Sequence, residues 1–282
     1  MKRFVNRIFC VVMFFMIMTS SYANTSIPFE LINGIIIIEA EIDGKLGNYI
    51  VDSGSNGILL NAESIESNIN YQTLTTTMEG SETVIRSFKV GEFEVRELSA
   101  FSTDLSNLES YLEKRINGIL GCSIFTPHSL VFDFENANMI ISSDELKVED
   151  FKHYSSLSFK IIEDLPIVNL EIEGKKYAFI LDSGASSHFI DSKIIDQNNK
   201  NITRTGQEKS IVTASGIGQV SSEYRFSNCI VGGEETELFA YEKDFSSISE
   251  VLGKEVSGLL SLSKLSHGKV YFDLKKNKFY YN

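Results

Sequence analysis

The chain carries the same short device twice. Asn48-Tyr49-Ile50-Val51-Asp52-Ser53-Gly54-Ser55 and Phe179-Ile180-Leu181-Asp182-Ser183-Gly184-Ala185-Ser186 each run from an apolar stretch into Asp-Ser-Gly and a small residue. The apolar stretch reads as a buried strand, and the glycine permits a sharp turn at its end. An ionised carboxylate at the end of a buried strand is costly unless something partners it. Two such sites, 130 positions apart, predict that each aspartate is the other's partner.

The repeat extends well beyond these motifs, and a repeat fixes architecture before any single element does. Phe29–Ile38 is a β-rich run continued by Glu39–Ile42, and Asp43-Gly44 signals a hairpin ahead of the strand that delivers Asp52. Leu165–Ile172, the turn Glu173-Gly174 and Tyr177–Leu181 repeat that order ahead of Asp182. Each motif is followed by a short strand, Ile58–Asn61 or His188–Asp191, and a helical start, with Asn61 and Asp191 as matching N-caps. Polar Gly- and Thr-containing stretches follow, Thr75–Ser81 and Val212–Gly218, and both read as hairpin tips. Near the end of each half, Ile119-Leu120-Gly121 and Leu259-Leu260-Ser261 precede Leu130–Phe134 and Lys269–Leu274; Gly121 to Asp133 and Ser261 to Asp273 are equally spaced. The polar stretch Ser142–Ser158 separates the halves, with a boundary near Asp150.

At 282 residues and 43% hydrophobic content there is material for two packed domains. The N-terminus is a separate object. Lys2, Arg3 and Arg7 precede an apolar run, Ile8–Met18, and the small residues of Ser21-Tyr22-Ala23, the layout of a secretory signal peptide. An uncleaved anchor is the other reading, although the run is short for a span. Loss of those three from 26 basic residues leaves 23 against 38 acidic ones, a formal charge of −15. That balance argues against nucleic acid and anionic membranes as partners. Of the cysteines beyond the leader, Cys122 and Cys229 lie in apolar contexts in different halves, which predicts two separate buried thiols rather than a bridge. No Cys-x-x-Cys, His-x-x-x-His, Gly-x-Ser-x-Gly, phosphate loop or dinucleotide fingerprint is present, so no metal or cofactor is expected. His188 follows Asp182 closely but is expected to be a solvent-facing or strand-end residue rather than a triad member.

Apolar-apolar-Asp-Ser-Gly-Ser/Ala, present twice, resembles the active-site signature of aspartic proteases, both pepsin-like and retropepsin-like. The downstream apolar-apolar-Gly resembles that family's second signature, with Ser261 a departure from it. The resemblance covers nearly all of the chain after residue 23. It implies an all-β fold of two homologous lobes of the double-psi barrel type, 24–150 and 151–282, with the active cleft between them. It further implies a catalytic dyad of Asp52 and Asp182 that activates water, with Ser53, Gly54, Ser55, Ser183 and Gly184 supporting the loops. Ser53 and Ser183 are expected to lock the loops together. Ser55, matched by Ala185, is expected to hydrogen-bond Asp52 and make it the more acidic member. The hairpins at Glu79, Gly80 and Ser81 and at Ala214, Ser215 and Gly216 are either flaps over a substrate or ordinary exposed hairpins. Serine rather than threonine in both motifs inclines toward activity nearer neutral pH.

The implied function is an exported, periplasmic or extracellular aspartic endopeptidase, monomeric because both aspartates lie in one chain. Its partner is a peptide or protein substrate. The alternatives are a catalytically silent form of the same fold that binds peptide or protein, and an extracytoplasmic β-sandwich binding domain without converging carboxylates.

Overall fold

The computed structural model describes residues 24–62, 69–72, 77–144, 153–195, 199–214 and 216–282. The leader reading, the boundary near Asp150, the helical start after Ala62 and Ser215 lie outside them. In order, the first half contains strands β1 (Thr25–Ile32), β2 (Ile35–Ile42), β3 (Lys45–Asp52), β4 (Ile58–Asn61), β5 (Ile69–Gln72), β6 (Thr77–Val90) and β7 (Phe93–Thr103). Helix α1 (Ser106–Leu112) and strands β8 (Gly118–Gly121), β9 (Ser129–Asp133) and β10 (Asn138–Ser142) complete it. The second half contains β11 (Ser155–Ser158), β12 (Lys160–Ile162), β13 (Leu165–Ile172), β14 (Lys175–Asp182), β15 (His188–Asp191), β16 (Ile202–Thr213), β17 (Gly216–Val231) and β18 (Glu234–Lys243). It closes with α2 (Ser246–Leu252), β19 (Gly258–Ser261), α3 (Leu262–Leu265), β20 (Lys269–Asp273) and β21 (Lys278–Tyr281).

Burial repeats along with sequence. β2 and β13 share one pattern, four buried residues followed by strict alternation, because both begin deep in the fold and end with one face in solvent. The run Phe29–Ile42, expected as one continuous strand, is broken by a hairpin at Asn33-Gly34. Asn33 and Gly34 both take positive φ, 52° and 83°, as a two-residue hairpin requires. Asp43-Gly44 and Glu173-Gly174 turn in the same way.

Each half closes on itself. In the first, the ladder β2-β3-β8-β4-β7-β6 is completed by pairing of β6 with β2. In the second, β13-β14-β19-β15-β18-β17 is completed by pairing of β17 with β13. Each six-stranded barrel contains two parallel pairs, β3 with β8 and β4 with β7, then β14 with β19 and β15 with β18. The all-β architecture of two homologous lobes expected from the sequence is the one observed. A six-stranded antiparallel layer, β11-β21-β20-β9-β10-β1, joins the barrels. At its centre β9 pairs with its own counterpart β20, Val131 opposite Tyr271, so an approximate two-fold axis relates the halves.

One hydrophobic cluster runs under this layer through both halves, including Phe132, Phe272 and Phe279. Two smaller clusters face the groove between the barrels: Ile35, Ile50, Leu59, Leu108 and Ile119 in one, Ile180, Phe189, Ile248 and Val256 in the other. Cys122 and Cys229 are buried free thiols in separate barrels, and burial pushes the Cys229 thiol up to about 12. Among the described residues, no helix is long and apolar enough to cross a membrane.

Phe272 is fully buried, with its ring 5.0 Å from Phe159 and 5.5 Å from Phe279. Phe272→Ala should cost about 3–5 kcal/mol in urea unfolding, from lost burial plus the cavity left behind.

Candidate active site

The parallel pairs bring both aspartates to one place. β3 carries Asp52 alongside Gly121 of β8, and β14 carries Asp182 alongside Ser261 of β19. Val51 and Leu181, just before the acids, are fully buried and hold the strand ends in the core. Gly121 is required where it stands: a Cβ there would lie 2.7 Å from the carbonyl oxygens of both Ser55 and Gly57. The second half accommodates a side chain at this position. Ser261 Oγ donates to the Ala185 carbonyl at 2.7 Å and lies 3.1 Å from Ser263 Oγ. Its N–H donates to His188 Nδ1 at 3.1 Å, whereas the Gly121 N–H donates to the Gly57 carbonyl at 2.8 Å. Ser261 therefore departs from the signature without opening a gap, because His188 takes the place of a backbone acceptor.

Four hydrogen bonds clamp the loops across the two-fold. Ser53 N–H donates to Ser183 Oγ (2.9 Å), and Ser183 N–H donates to Ser53 Oγ (3.0 Å). Ser53 Oγ donates to the Leu181 carbonyl (2.9 Å), and Ser183 Oγ donates to the Val51 carbonyl (2.7 Å). Each serine thus satisfies two buried backbone groups of the opposite loop.

This clamp sets the two carboxyls face to face. Gly54 N–H donates to Asp52 Oδ1 at 2.8 Å, and Gly184 N–H donates to Asp182 Oδ1 at 2.7 Å. A Cβ on Gly54 would sit 2.6 Å from the Asp182 carboxyl carbon, and one on Gly184 would sit 2.5 Å from that of Asp52. Each glycine therefore makes room for the other lobe's acid. The carboxyls are in hydrogen-bond contact, and burial raises both. Asp182 is held well above the usual carboxylate range, by burial first and then by the neighbouring Asp52 charge. For Asp52, hydrogen bonds from Asp182 and the Gly54 N–H work against burial. Two carboxylates in contact resist joint ionisation, so the pair shares one proton and titrates as a unit. The hydrogen bond expected to make Asp52 the more acidic member is not present. Ser55 Oγ points to the Gly57 carbonyl at 3.5 Å rather than to the Asp52 carboxylate, because the Ser55 backbone turns back with its N–H on the Asp52 carbonyl.

A cleft of about 180 Å³ opens over the pair. Its walls are related by the two-fold: Ile50, Leu59 and Ile119 on one side, and Ile180, Phe189 and Leu259 on the other. The two hairpins are not related so simply. Glu79, Gly80 and Ser81 lie within β6, paired to both β5 and β7, and do not form a tip. A side chain at Gly80 would run into the Ser102 carbonyl and the Phe101 ring, so its small size serves strand packing. Met78, not singled out by the sequence, reaches the cleft instead. Ala214 and Gly216 do sit at the tip between β16 and β17. Val212 and Ala214 pack across the groove on the first lobe's cleft-facing cluster, as do Ile32 and Tyr111. This second hairpin lines the same cleft as Asp52 and Asp182 through Ile211, Val212, Thr213 and Ala214. Lys209 and Lys243 also line the cleft and went unnoticed in sequence, where a lysine on a strand reads as a solvated face. Asp191 caps the following turn by accepting the Lys193 N–H, whereas Asn61 ties β4 to the start of α1 by accepting the Leu105 N–H.

His188 is buried at the start of β15, so the strand-end reading holds and the solvent-facing one does not. Burial, with a smaller push from the Lys264 charge, lowers it from 6.5 to about 4. The unfolded chain therefore takes up a proton between those values that the native protein refuses. The stability linked to neutral His188 is complete above about pH 6.5 and falls as pH drops toward 4. Measured against His188→Gln, which keeps an acceptor but does not titrate, urea unfolding of the wild type should lose about 3 kcal/mol over this window. A parallel loss in both proteins would contradict this role. Ser53→Ala should cost about 1–3 kcal/mol, since it strands the buried Ser183 N–H.

No protein-family model matches the sequence, and no curated protein matches it. Among solved structures, the chain is similar to the crystal structure of aspartic proteinase from Irpex lacteus, with a TM-score of 0.55 over 92% of this chain and 96% of that one. The sequences are 11% identical, so the likeness is one of fold: this chain has the two-lobed, all-β architecture of an aspartic proteinase.

Proposed function

We propose that the protein is an exported, monomeric aspartic endopeptidase that hydrolyses peptide bonds with water activated by Asp52 and Asp182. The observation that carries this reading is the pair of carboxyls meeting across the two-fold, Asp182 buried and Asp52 half-buried, each held by its own loop's glycine N–H and each given room by the other loop's glycine. A structural salt bridge would place opposite charges there; two acids in contact are useful when a reaction needs a base and an acid side by side.

Ionised Asp52 takes a proton from water as the water oxygen attacks the scissile carbonyl carbon. Asp182 gives its proton to the carbonyl oxygen, which yields a neutral tetrahedral diol. The proton on Asp52 then passes to the amide nitrogen as the C–N bond breaks, and Asp182 recovers a proton from a diol hydroxyl. The two acids end as they began. The serine clamp keeps them in register, and the apolar walls exclude bulk water. Export rests on the leader-like residues 1–23, and a monomer suffices because one chain supplies both acids.

Peptide-library cleavage by the purified protein, from acid to neutral pH, tests the proposal. Asp52→Asn and Asp182→Asn should each lower kcat/KM by about 10²–10⁴-fold. The wild-type profile should be bell-shaped. Activity falls in acid as Asp52 gains a proton, and falls again as rising pH strips the proton from Asp182, well above the usual carboxylate range. A folded wild type that binds peptide without cleaving it would mean a silent binding module. Cleavage that survives both substitutions would place the active site elsewhere.

A further inference from the structure

The two-fold relating the cleft walls breaks at one charged position. Thr103 ends β7 opposite Asn61 of β4, and Lys243 ends β18 opposite Asp191 of β15, so Lys243 occupies the place of Thr103 in the second lobe. Thr103 is buried and spends its hydroxyl on the Glu79 carbonyl. Lys243 instead lines the cleft, with its ammonium 5.9 Å from the ring centre of Phe189 in the cleft wall and 6.0 Å from that of the core residue Phe245. Its register partner Asp191 does not neutralise it. The Asp191 carboxylate accepts the Lys193 N–H and lies 4.0 Å from Lys193 Nζ.

A second ammonium stands on the same wall. Lys209 of β16 donates to Ser186 Oγ at 2.6 Å and Ser187 Oγ at 3.1 Å, in the loop just past Asp182, and lies 5.9 Å from the Tyr241 ring centre. Both lysines are half-buried, and neither forms an ion pair among the described residues. Burial penalises each ammonium, and for Lys243 the nearby Asp182 works the other way. Two cations in an apolar cleft, held by rings and hydroxyls, are poorly compensated until an anion arrives. The opposite wall offers Ile35, Ile50, Leu59, Met78 and Ile119, with Asp52 its one acidic group lining the cleft among the described residues and no cation.

We propose that Lys243 and Lys209 form an anion subsite on the second-lobe side of the cleft, which selects peptides bearing a carboxylate beside the scissile bond and an apolar residue on the first-lobe side. This inference rests on the reading of the cleft as a peptide-binding site. The carboxylate is that of a Glu or Asp side chain or of a chain end. The protein as a whole carries a net charge of −12, which disfavours acidic peptides at long range; a preference for them must therefore come from this local pair.

The test is binding of labelled peptides to the Asp52→Asn protein by fluorescence anisotropy, which separates recognition from turnover. Capped peptides with an apolar residue followed by Glu, Gln or Leu are compared with a peptide ending in a free carboxylate one residue after the apolar position. The Glu peptide, the free-acid peptide or both should bind at least tenfold tighter than the Gln peptide in low salt. That advantage should shrink severalfold in Lys243→Thr, which installs the first lobe's residue, and again when Lys209→Gln is added. Preference for Glu alone assigns a side-chain carboxylate; preference for the free acid alone assigns a chain end. Binding of both the Glu and the free-acid peptides no tighter than the Gln peptide, a preference that survives the double substitution, or no binding of any peptide overturns the proposal. Wild-type cleavage of the Gln, Glu and free-acid peptides at equal rates would remove the subsite and leave the protease standing. Carboxylate-selective binding without any cleavage would do the reverse.

Discussion

Two buried serines fix the distance at which two acids meet. Ser53 and Ser183 each accept the other's N–H and donate to the carbonyl before the other's aspartate. Little else could hold the loops so close, because the carboxyls they carry repel once both are charged. The barrels supply the rigid strand ends, Val51 and Leu181, and the layer built on β9 and β20 keeps the barrels in register. The clamp, the glycines that clear space and the shared proton form one unit, and each part loses its purpose without the others.

Much of this was legible because the chain repeats itself. A repeated strand, turn and acid is improbable by chance and implies a two-fold, and the two-fold puts the acids together. The hairpin at Asp43-Gly44 and the strands on either side follow from local chemistry. What escaped reading has physical causes. The break at Asn33-Gly34 was hidden by the strongly β-forming residues on both sides. Helices α1 and α2 are only seven residues long, too short for a 3.6-residue period to emerge. Glu79, Gly80 and Ser81 look like a turn in composition, yet Gly80 is a strand residue that lets β6 lie close to β7. Lys243 could have been found by aligning the halves, since the same offset that relates Gly121 to Ser261 relates Thr103 to Lys243.

The differences between the halves are as informative as their likeness. Where the first lobe uses Gly121 and the Gly57 carbonyl, the second uses Ser261 and the His188 ring, and so acquires a group sensitive to acid beside Asp182. Where the first lobe buries a hydroxyl at Thr103, the second presents an ammonium. The hairpin between β16 and β17 reaches the first lobe, where Val212 and Ala214 pack on its cleft-facing cluster. The cleft's lysines and its acid-sensitive histidine therefore both come from the second lobe. The first lobe contributes an apolar wall and one of the two acids.

The central claim is that Asp52 and Asp182 are one titrating unit. Carbon-13 NMR of the aspartate carboxyls across a pH titration tests it most directly. The account predicts that both signals report the same two steps, with the second proton leaving well above 3.8. Two independent single-step titrations, each near 3.8, would show that the carboxyls do not meet, and the account would fail with them.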